Sequence, residues 1–427
     1  MPLERFGTTA FVPGEVVHVP FVRAGNWVLG TGLRAVLPDG RPDLDVLRKD
    51  RPLGVAPQAQ REAEAIFARM DRSLQAAGSA LSQVVRLDQY YPHAHNVDPY
   101  HVARKQALAG QVAPSTSVIV DALVNPGMSM DVQVLAPTLA SGYAVEALGR
   151  DRLNVPSTSG YAPCVRAGDL VFVAGQLARD ASGALAAEAM VPPGQLWNGT
   201  RIKLETDYLV QQRLVPALAA AGSALDLVLK AQVYLSHAED FPAFWQAWSR
   251  AFDGRIPPTT VVPVRHPAFG TSAATIEVNV VAAHAQAKGR IRDIECEVEL
   301  PGPGMFPARS FDGLLFVAGL MGIEDGGACA AARTDPAAPY YRDAVHAQMT
   351  DVIAKARTIF AAAGSDLTQV ARLIYFLPDL AAFRSAHLAW DPALRGAGLP
   401  FTAIGTAAPA LAPDAGLVVD LWGHVPG

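Results

Sequence analysis

The chain has 427 residues, a formal net charge of −5, 50% hydrophobic residues and only 18% charged residues. This length allows two to four domains, and the apolar composition indicates extensive buried surface, including surface between domains. The acidic balance argues against a nucleic-acid partner, no apolar run is long enough to predict a membrane span, and the first ten residues lack a signal core, so we expect a cytoplasmic protein.

Three sequence signatures recur in one order along the chain. The first is a β-branched and aromatic run, such as GDLVFVAGQ, that predicts an opening β-hairpin. These runs begin at Gly25, Gly168 and Phe311. The second is a helix that ends at a glycine and leads into a strand, as in LAAAGSALDLVLKAQVYL. Its glycines are Gly78, Gly222 and Gly364, which lie 144 and 142 residues apart.

The third signature is a closing strand, as in PPTTVVPV from Pro257, and it keeps the same period. Three markers in one phase predict three tandem copies of one unit. Each copy predicts the order ββαβαββ, which implies an α+β sheet with helices on one face. Boundaries in Pro/Ser-rich and charged linkers give domains 1–154, 155–289 and 290–427.

These residues resemble the RidA (YjgF) family. PCVRAGDLVFVAGQ from Pro163 is similar to the family's opening hairpin, AAGSALDLVLKAQVYLSHAEDF to its helix–strand centre, and ATIEVNVVA from Ala274 to its closing strand. Family members with one repeat form homotrimers with sheets inside, helices outside and a cleft at each subunit interface. The resemblance therefore implies three RidA-like (chorismate-mutase-like) domains packed as a single-chain pseudotrimer, either monomeric or weakly associated further.

The resemblance also implies where a substrate would bind. The family's imine deaminases hold the substrate carboxylate with an arginine after a Pro-rich turn and place a glutamate on the last strand. The arginine positions hold Ser115, Thr259 and Phe401, and the glutamate positions hold Gln133, Asn279 and Trp422. Two residues earlier on the same strand face, the expected acids are Asp131, Glu277 and Asp420. We expect these acids to pair with Arg86, Lys230 and Arg372, which also recur in phase.

The three clefts are expected to differ. Phe401 should plug the cleft of the third copy, whereas polar residues should keep the other two open. The predicted substrate-binding residues are Thr31, Arg34, Ser115, Gln176, Thr259, Asn279 and Arg309. We expect Arg34 or Arg309 to replace the missing arginine as a carboxylate clamp. The alternative is that both are solvated surface arginines.

Proton transfer needs a group that titrates near neutral pH or a positioned acid. His101 and His387 fall at equal phase on the second helix, where the family often has an asparagine facing the cleft. We therefore name His101, Glu277 and His387 as candidate catalytic residues, and the alternative for each histidine is a structural role. HAHNVD from His93 is metal-like, but the family needs no metal, so we expect neither a metal nor a cofactor. Cys164 is expected to be a buried neutral thiol.

The leading functional hypothesis is a hydrolytic deaminase that releases ammonia from a small enamine or imine carboxylate. Three repeats suggest a specialised substrate such as 2-aminomuconate, from aromatic-compound catabolism, with Arg34 and Arg309 binding its two carboxylates. A non-catalytic small-metabolite-binding or chaperone-like protein is the alternative. A cyclic amide hydrolase, which also has three repeats with a Ser–Lys pair in each, is a third possibility. One open charged cleft favours an enzyme, and three plugged clefts favour the binding protein.

Overall fold

A computed structural model of the chain describes residues 2–11, 16–47, 55–109, 112–156, 159–333, 337–338, 343–394, 398–406, 408 and 411–426. Within these residues, three large sheets follow one another along the chain with the same order of strands. In each sheet an antiparallel hairpin lies beside the closing strand. The closing strand pairs with a central strand, which pairs in parallel with the strand that follows the second helix.

The strands are given from edge to edge of each sheet. The first sheet contains Glu4–Phe6, Phe21–Ala24, Trp27–Leu33, Asp131–Pro137, Arg86–Tyr91 and Ser115–Ile119. The second contains Val145–Leu148, Cys164–Ala167, Leu170–Gln176, Ile276–Ala283, Val228–Leu235 and Thr259–Pro263. The third contains Arg292–Ile294, Ala308–Phe311, Leu314–Val317, Val418–His424, Val370–Leu377, Phe401–Gly405 and Ala122–Leu123. Two small hairpins are Thr9–Phe11 with Val16–His18 and Ile323–Glu324 with Gly327–Ala328.

Helices connect the strands of each sheet. The α-helices are Leu44–Leu47, Gln58–Ala76, Val97–Ala107, Arg201–Tyr208, Val215–Ala220, Phe241–Ala251, Ala344–Ala362, Phe383–Leu388 and Asp391–Leu394, with a π-helical turn at Leu209–Leu214. Gln58–Ala76 buries an apolar stripe at helical spacing that includes Ile66, Met70 and Leu74. Gly78 follows this helix with φ +80°, a conformation that glycine adopts without strain. No described helix has the length and hydropathy needed to cross a membrane.

Side chains of equal register from the three sheets meet one another. The Tyr90 and Tyr234 hydroxyls are 2.8 Å apart, and both rings contact Phe376 edge-on. Central strands such as Val228–Leu235 are buried along their whole length, because one face packs on helices and the other on neighbouring sheets. The mixed α+β architecture with several sheets is as predicted from the sequence.

The second sheet begins earlier than the expected domain boundary at residues 154 and 155. Its edge strand Val145–Leu148 pairs with Cys164–Ala167. The third sheet also recruits a strand from the first third of the chain, since Ala122–Leu123 pairs with Phe401–Gly405. The sheets are therefore connected by backbone pairing as well as by side-chain packing.

The strand registers correct the expected acidic triplet. Asp131 lies opposite Tyr90 and Glu277 lies opposite Tyr234, but the residue opposite Phe376 is Val418. Asp420 instead occupies the register of Gln133 and Asn279. The prediction of an acid at one position in all three copies was therefore wrong for the third copy.

The expected ion pairs form only in part. Asp420 contacts Lys230 at 2.7 Å and Arg372 at 4.0 Å, as predicted. Arg86 instead pairs with Asp88 on its own strand, at 2.9 Å, because alternate residues of a strand share a face. Arg372 also reaches Asp88, at 3.3 Å.

Candidate functional site

A cavity of about 370 Å³ lies between the first and second sheets. The first third of the chain contributes the helix that bears His101 and the strand that begins at Ser115. The second third contributes Tyr161, Arg179 and Glu277. The apolar part of the lining includes Ile119, Leu177, Ala268 and Phe269. Convergent polar groups in a largely apolar concavity are typical of a small-molecule site.

Glu277 is the most unusual group in this cavity. Its side chain leaves the closing strand Ile276–Ala283 and is 5% exposed. Burial raises the pKa of the Glu277 carboxyl to about 8, although the positive charge of Arg179 opposes the shift. The carboxyl makes no hydrogen bond to any other described residue, so at neutral pH it carries a proton that can be transferred.

Protonation of Glu277 should make stability depend on pH. The folded protein keeps this proton to about pH 8, whereas an unfolded glutamate releases it near its ordinary value of 4.5. The folded state therefore binds more protons between these values, and stability falls as pH rises through that window, by up to about 1.4 kcal/mol per pH unit. Thermal melts of the wild type and Glu277→Gln from pH 5 to 9 should differ increasingly up to pH 8 and then by a constant amount. A constant difference from pH 5 upward would contradict the buried protonated state.

Arg179 is the one cation among the described residues that line the cavity. Its guanidinium donates hydrogen bonds to the Tyr161 hydroxyl and to the Asn154 carbonyl, both at 3.0 Å. These two bonds hold the side chain against the wall and leave its Nε without a partner. A planar guanidinium fixed in this way can bind a carboxylate. The sequence analysis missed Arg179, whose register positions in the other sheets hold Val36 and Ile323.

His101 and Ser115 line the same cavity and come from the first third of the chain. Burial, with the nearby charges of Arg104 and Lys105, lowers the pKa of His101 to about 3, so the ring is neutral. The Ser115 hydroxyl donates to Gln89 and accepts a hydrogen bond from Arg104, both at 2.8 Å. Three predicted residues, Ser115, His101 and Glu277, therefore share one cavity.

The position between the third and first sheets that corresponds to this cavity is filled by aromatic side chains. The Phe401 ring lies 4.5 Å from the His387 ring and 5.2 Å from the His18 ring. The His387 Nδ1 lies 3.1 Å from the Tyr375 hydroxyl, and burial lowers the pKa of His387 to about 4. His387 is therefore part of a packed aromatic cluster, and the structure does not bring it to the cavity that holds His101.

The equivalent place between the second and third sheets is apolar. Trp245 donates to the Pro303 carbonyl and packs over Gly302, and the Thr259 hydroxyl contacts Trp248 at 3.3 Å. Met305 and Val418 complete the filling. Side chains of the described residues fill these two positions, whereas the position beside Glu277 holds an open cavity. A separate cavity of about 390 Å³ lies beside Arg34 and Arg69.

Comparison with known proteins relates this geometry to a family. Residues 152–284 match the family model described as endoribonuclease L-PSP. The mitochondrial protein mmf2 of Schizosaccharomyces pombe is 25% identical over 123 residues, which are 29% of this chain and 86% of that protein. The middle third of the chain is therefore similar to the RidA (YjgF) family.

Two solved structures are similar to parts of the chain. A member of the RidA (YjgF) family from Mycobacterium tuberculosis is 24% identical and covers 30% of this chain and 89% of its own, with a TM-score of 0.23. A chorismatase is 13% identical and covers 80% of this chain and 93% of its own, with a TM-score of 0.49.

Neither arginine predicted to replace the RidA-family clamp reaches the cavity. The Arg34 side chain is fully buried and contacts Asp131 at 2.9 Å. Arg309 contacts Asp293 at 2.8 Å and donates to the Val228 carbonyl. Both guanidinium groups contact acids of the chain, and Arg34 also lines a separate cavity of about 390 Å³. Binding of a substrate carboxylate by either arginine therefore stays a prediction.

The remaining predicted binding residues have internal partners. The Thr31 carbonyl accepts a hydrogen bond from His18 Nε2 at 2.8 Å, and Thr31 is buried. Gln176 accepts from Arg213 at 3.2 Å, and the Thr259 hydroxyl donates to the Pro257 carbonyl at 2.8 Å. Asn279 accepts from Arg86 at 2.6 Å. None of these four residues lines the cavity. Among the described residues, no cluster of three or more His, Cys, Asp or Glu could hold a metal.

Gly175 makes room for the Glu277 carboxyl. A Cβ at residue 175 would lie 1.9 Å from the Glu277 Oε1. Gly175→Ala should therefore displace the carboxyl and lower stability by about 1 to 3 kcal/mol, the usual penalty for overpacking. Chemical denaturation would measure the change, with Gly270→Ala as the control, since nothing lies within 4 Å of a Cβ there. Equal stability of both variants would show that Glu277 lies elsewhere.

Proposed function

We propose that the protein is a hydrolytic deaminase that releases ammonia from a small imine or enamine carboxylate. The reaction would take place in the cavity that holds Glu277. The observation that carries this proposal is a protonated buried acid and a fixed guanidinium facing one open cavity, while the two equivalent positions are filled. The similarity of residues 152–284 to the RidA family, which includes imine deaminases, supports the same activity.

In the proposed reaction, Arg179 binds the substrate carboxylate and so orients the C=N bond. The Glu277 carboxyl gives its proton to the imine nitrogen, and the resulting carboxylate removes a proton from a water molecule that attacks the imine carbon. The nitrogen then takes that proton back from Glu277, the C–N bond of the carbinolamine breaks, and the Glu277 carboxylate removes the hydroxyl proton. These steps yield ammonia and the ketone and restore the protonated acid. Imines of this kind hydrolyse readily, so positioning and one proton-transfer group are enough.

Ammonia release measured on a panel of three compounds should distinguish the candidate substrates of this site. The panel would hold 2-iminopropanoate, a bulkier branched imino acid and freshly generated 2-aminomuconate, the specialised substrate expected from the three repeats.

We also propose that the three sheets form a single-chain pseudotrimer in which one of three equivalent clefts has kept its function. We further propose that the protein is cytoplasmic.

Arg179→Ala should lower kcat/KM by about 10-fold to 100-fold, mainly through KM, because a charged hydrogen bond to the substrate is lost. Ammonia release measured at several substrate concentrations would show the effect. Arg255→Ala is the matched control, because its side chain is 71% exposed and outside the cavity lining. Equal kinetics for the two variants would remove Arg179 from the proposed clamp.

A non-catalytic metabolite-binding protein is the second candidate. The filled clefts and the absence of an arginine at the family position favour it. Ammonia release no faster than the spontaneous rate on every substrate of the panel would support it. The cyclic amide hydrolase is disfavoured, because Lys230 is buried in contact with Asp420 and Thr260.

A further inference from the structure

Three buried cations, one from each sheet, lie together where the sheets meet. They are Arg86, Lys230 and Arg372, and each side chain is at most 5% exposed. Two acids lie among them: Asp88 contacts both arginines, and Asp420 contacts Lys230 at 2.7 Å. No further acid of the described residues forms an ion pair with these cations. This group of five side chains, here called the central cluster, therefore has one positive charge in excess.

The excess charge is not removed by loss of a proton from Lys230. Burial lowers the pKa of Lys230, but its amino group contacts three acceptors. These are the Asp420 carboxylate at 2.7 Å, the Thr260 hydroxyl at 2.7 Å and the Val317 carbonyl. The ammonium form has three N–H donors, one for each acceptor, and arginine stays protonated in proteins. All three cations of the cluster therefore keep their charge at neutral pH.

A cavity of about 10 Å³ borders the central cluster. Its lining includes Arg86, Asp88, Arg372 and Trp422. This volume is enough for one water molecule or one monoatomic ion, but a carboxylate or a phosphate does not fit. No residue lines both this cavity and the one that holds Glu277. The two cavities are therefore separate sites.

Two buried N–H groups beside the small cavity have no acceptor among the described residues. They are the Nε of Arg372 and the indole Nε1 of Trp422. The two side chains are in contact, because the guanidinium carbon of Arg372 lies 4.9 Å from the centre of the Trp422 ring. A buried donor without an acceptor is unfavourable, so both groups point to an acceptor in the cavity.

The charge of the cluster decides which kind of acceptor fits best. A water molecule would accept from both N–H groups but would leave the excess charge unbalanced. The one acid among the described lining residues, Asp88, is already bound by Arg86 at 2.9 Å. A buried cation without a counter-charge is strongly unfavourable. A monovalent anion would supply the missing acceptor and the missing charge together.

We propose that the central cluster binds one halide ion, with chloride as the natural ligand. The ion accepts hydrogen bonds from Arg372 Nε and Trp422 Nε1 and lies in the positive field of Arg86. Arg372 and Trp422 belong to the third sheet and Arg86 to the first, so the bound ion stabilises the contact between these sheets. This site is independent of the proposed reaction, because it shares no lining residue with the larger cavity.

Bromide in place of chloride tests the site directly. Crystals of the full chain would be grown in sodium bromide and measured at the bromine absorption edge. We expect one anomalous peak inside the central cluster, within hydrogen-bonding distance of Arg372 Nε and Trp422 Nε1. Density in the cavity without an anomalous signal would identify a water molecule and overturn the proposal.

Thermal melts test the same site in solution. Sodium chloride would replace sodium gluconate stepwise at constant ionic strength, because gluconate is too large for the cavity. Above the dissociation constant, the melting midpoint should rise by about 1 to 2 °C for each tenfold increase in chloride, as expected for a ligand that binds only the folded chain of this length. Equal midpoints in the two salts would contradict the proposal.

Two tryptophan variants assign the effect to this cavity. Trp422 and Trp390 are both 1% exposed, but Trp390 does not line the cavity. Trp422→Phe keeps an aromatic ring and removes the N–H donor, so it should lose most of the chloride-dependent rise, whereas Trp390→Phe should keep it. Arg372→Gln removes the excess charge and should abolish the anomalous peak. If Arg372→Gln does not fold, the tryptophan pair decides the result: a chloride dependence that persists unchanged in Trp422→Phe would overturn the proposed site.

Discussion

Glu277→Gln is expected to lower kcat for ammonia release by about 100-fold or more at pH 7, the range that loss of a general acid produces. Glutamine has the size of the protonated acid and fits beside Gly175, so the cavity should keep its shape. Its amide can neither give a proton to the imine nitrogen nor take one from water. Steady-state ammonia release with the best substrate of the panel would measure the change.

Asp98→Asn provides the matched control for this experiment. Asp98 also lines the cavity, but its side chain is 79% exposed. It should keep nearly the wild-type rate, because the proposed reaction takes no proton from Asp98. The wild-type rate should also decline as pH rises through about 8, where Glu277 loses its proton. A Glu277→Gln protein with wild-type kcat would contradict the proposed mechanism.

Local patterns of residue type and spacing predicted most of the strands and helices. The strand Leu170–Gln176 and the glycines after the helices follow directly from residue type and spacing. A constant repeat period, however, does not reveal a local change in length within one of the three copies. The closing strand of the third sheet differs by two residues in register, which moves Val418 to the place expected for Asp420. Hydrogen-bond pairing between strands is needed to see this shift.

The candidate site could be predicted only in part. Ser115, His101 and Glu277 were named from their phase, and they line one cavity. The sequence did not predict that Arg179 is the arginine of this cavity. Whether an arginine faces a ligand depends on whether an acid distant in sequence binds it instead. Arg34 meets Asp131, 97 residues away, whereas Arg179 meets only a carbonyl and a hydroxyl.

Removing a single buried charge gives the second large expected effect. Asp131→Asn should destabilise the protein by about 3 to 5 kcal/mol, because the Arg34 guanidinium would remain buried without its counter-charge. Both side chains are fully buried, and the carboxylate also accepts hydrogen bonds from Thr402 and Gln133, at 2.6 Å each. The loss should appear as a lower midpoint in urea denaturation.

The location of this pair makes the result informative about assembly of the sheets. Asp131 belongs to the first sheet and Thr402 to the third, so the variant weakens the contact between them. Asp207→Asn is the control: its pair with Arg250 is largely exposed, and its loss should change stability by less than about 1 kcal/mol. Similar midpoints for the two variants would mean that solvent reaches Asp131 and that the first and third sheets are not closely packed there. A large loss confined to Asp131→Asn would instead support the single-chain pseudotrimer, in which the filled positions stabilise the one cavity that stays open.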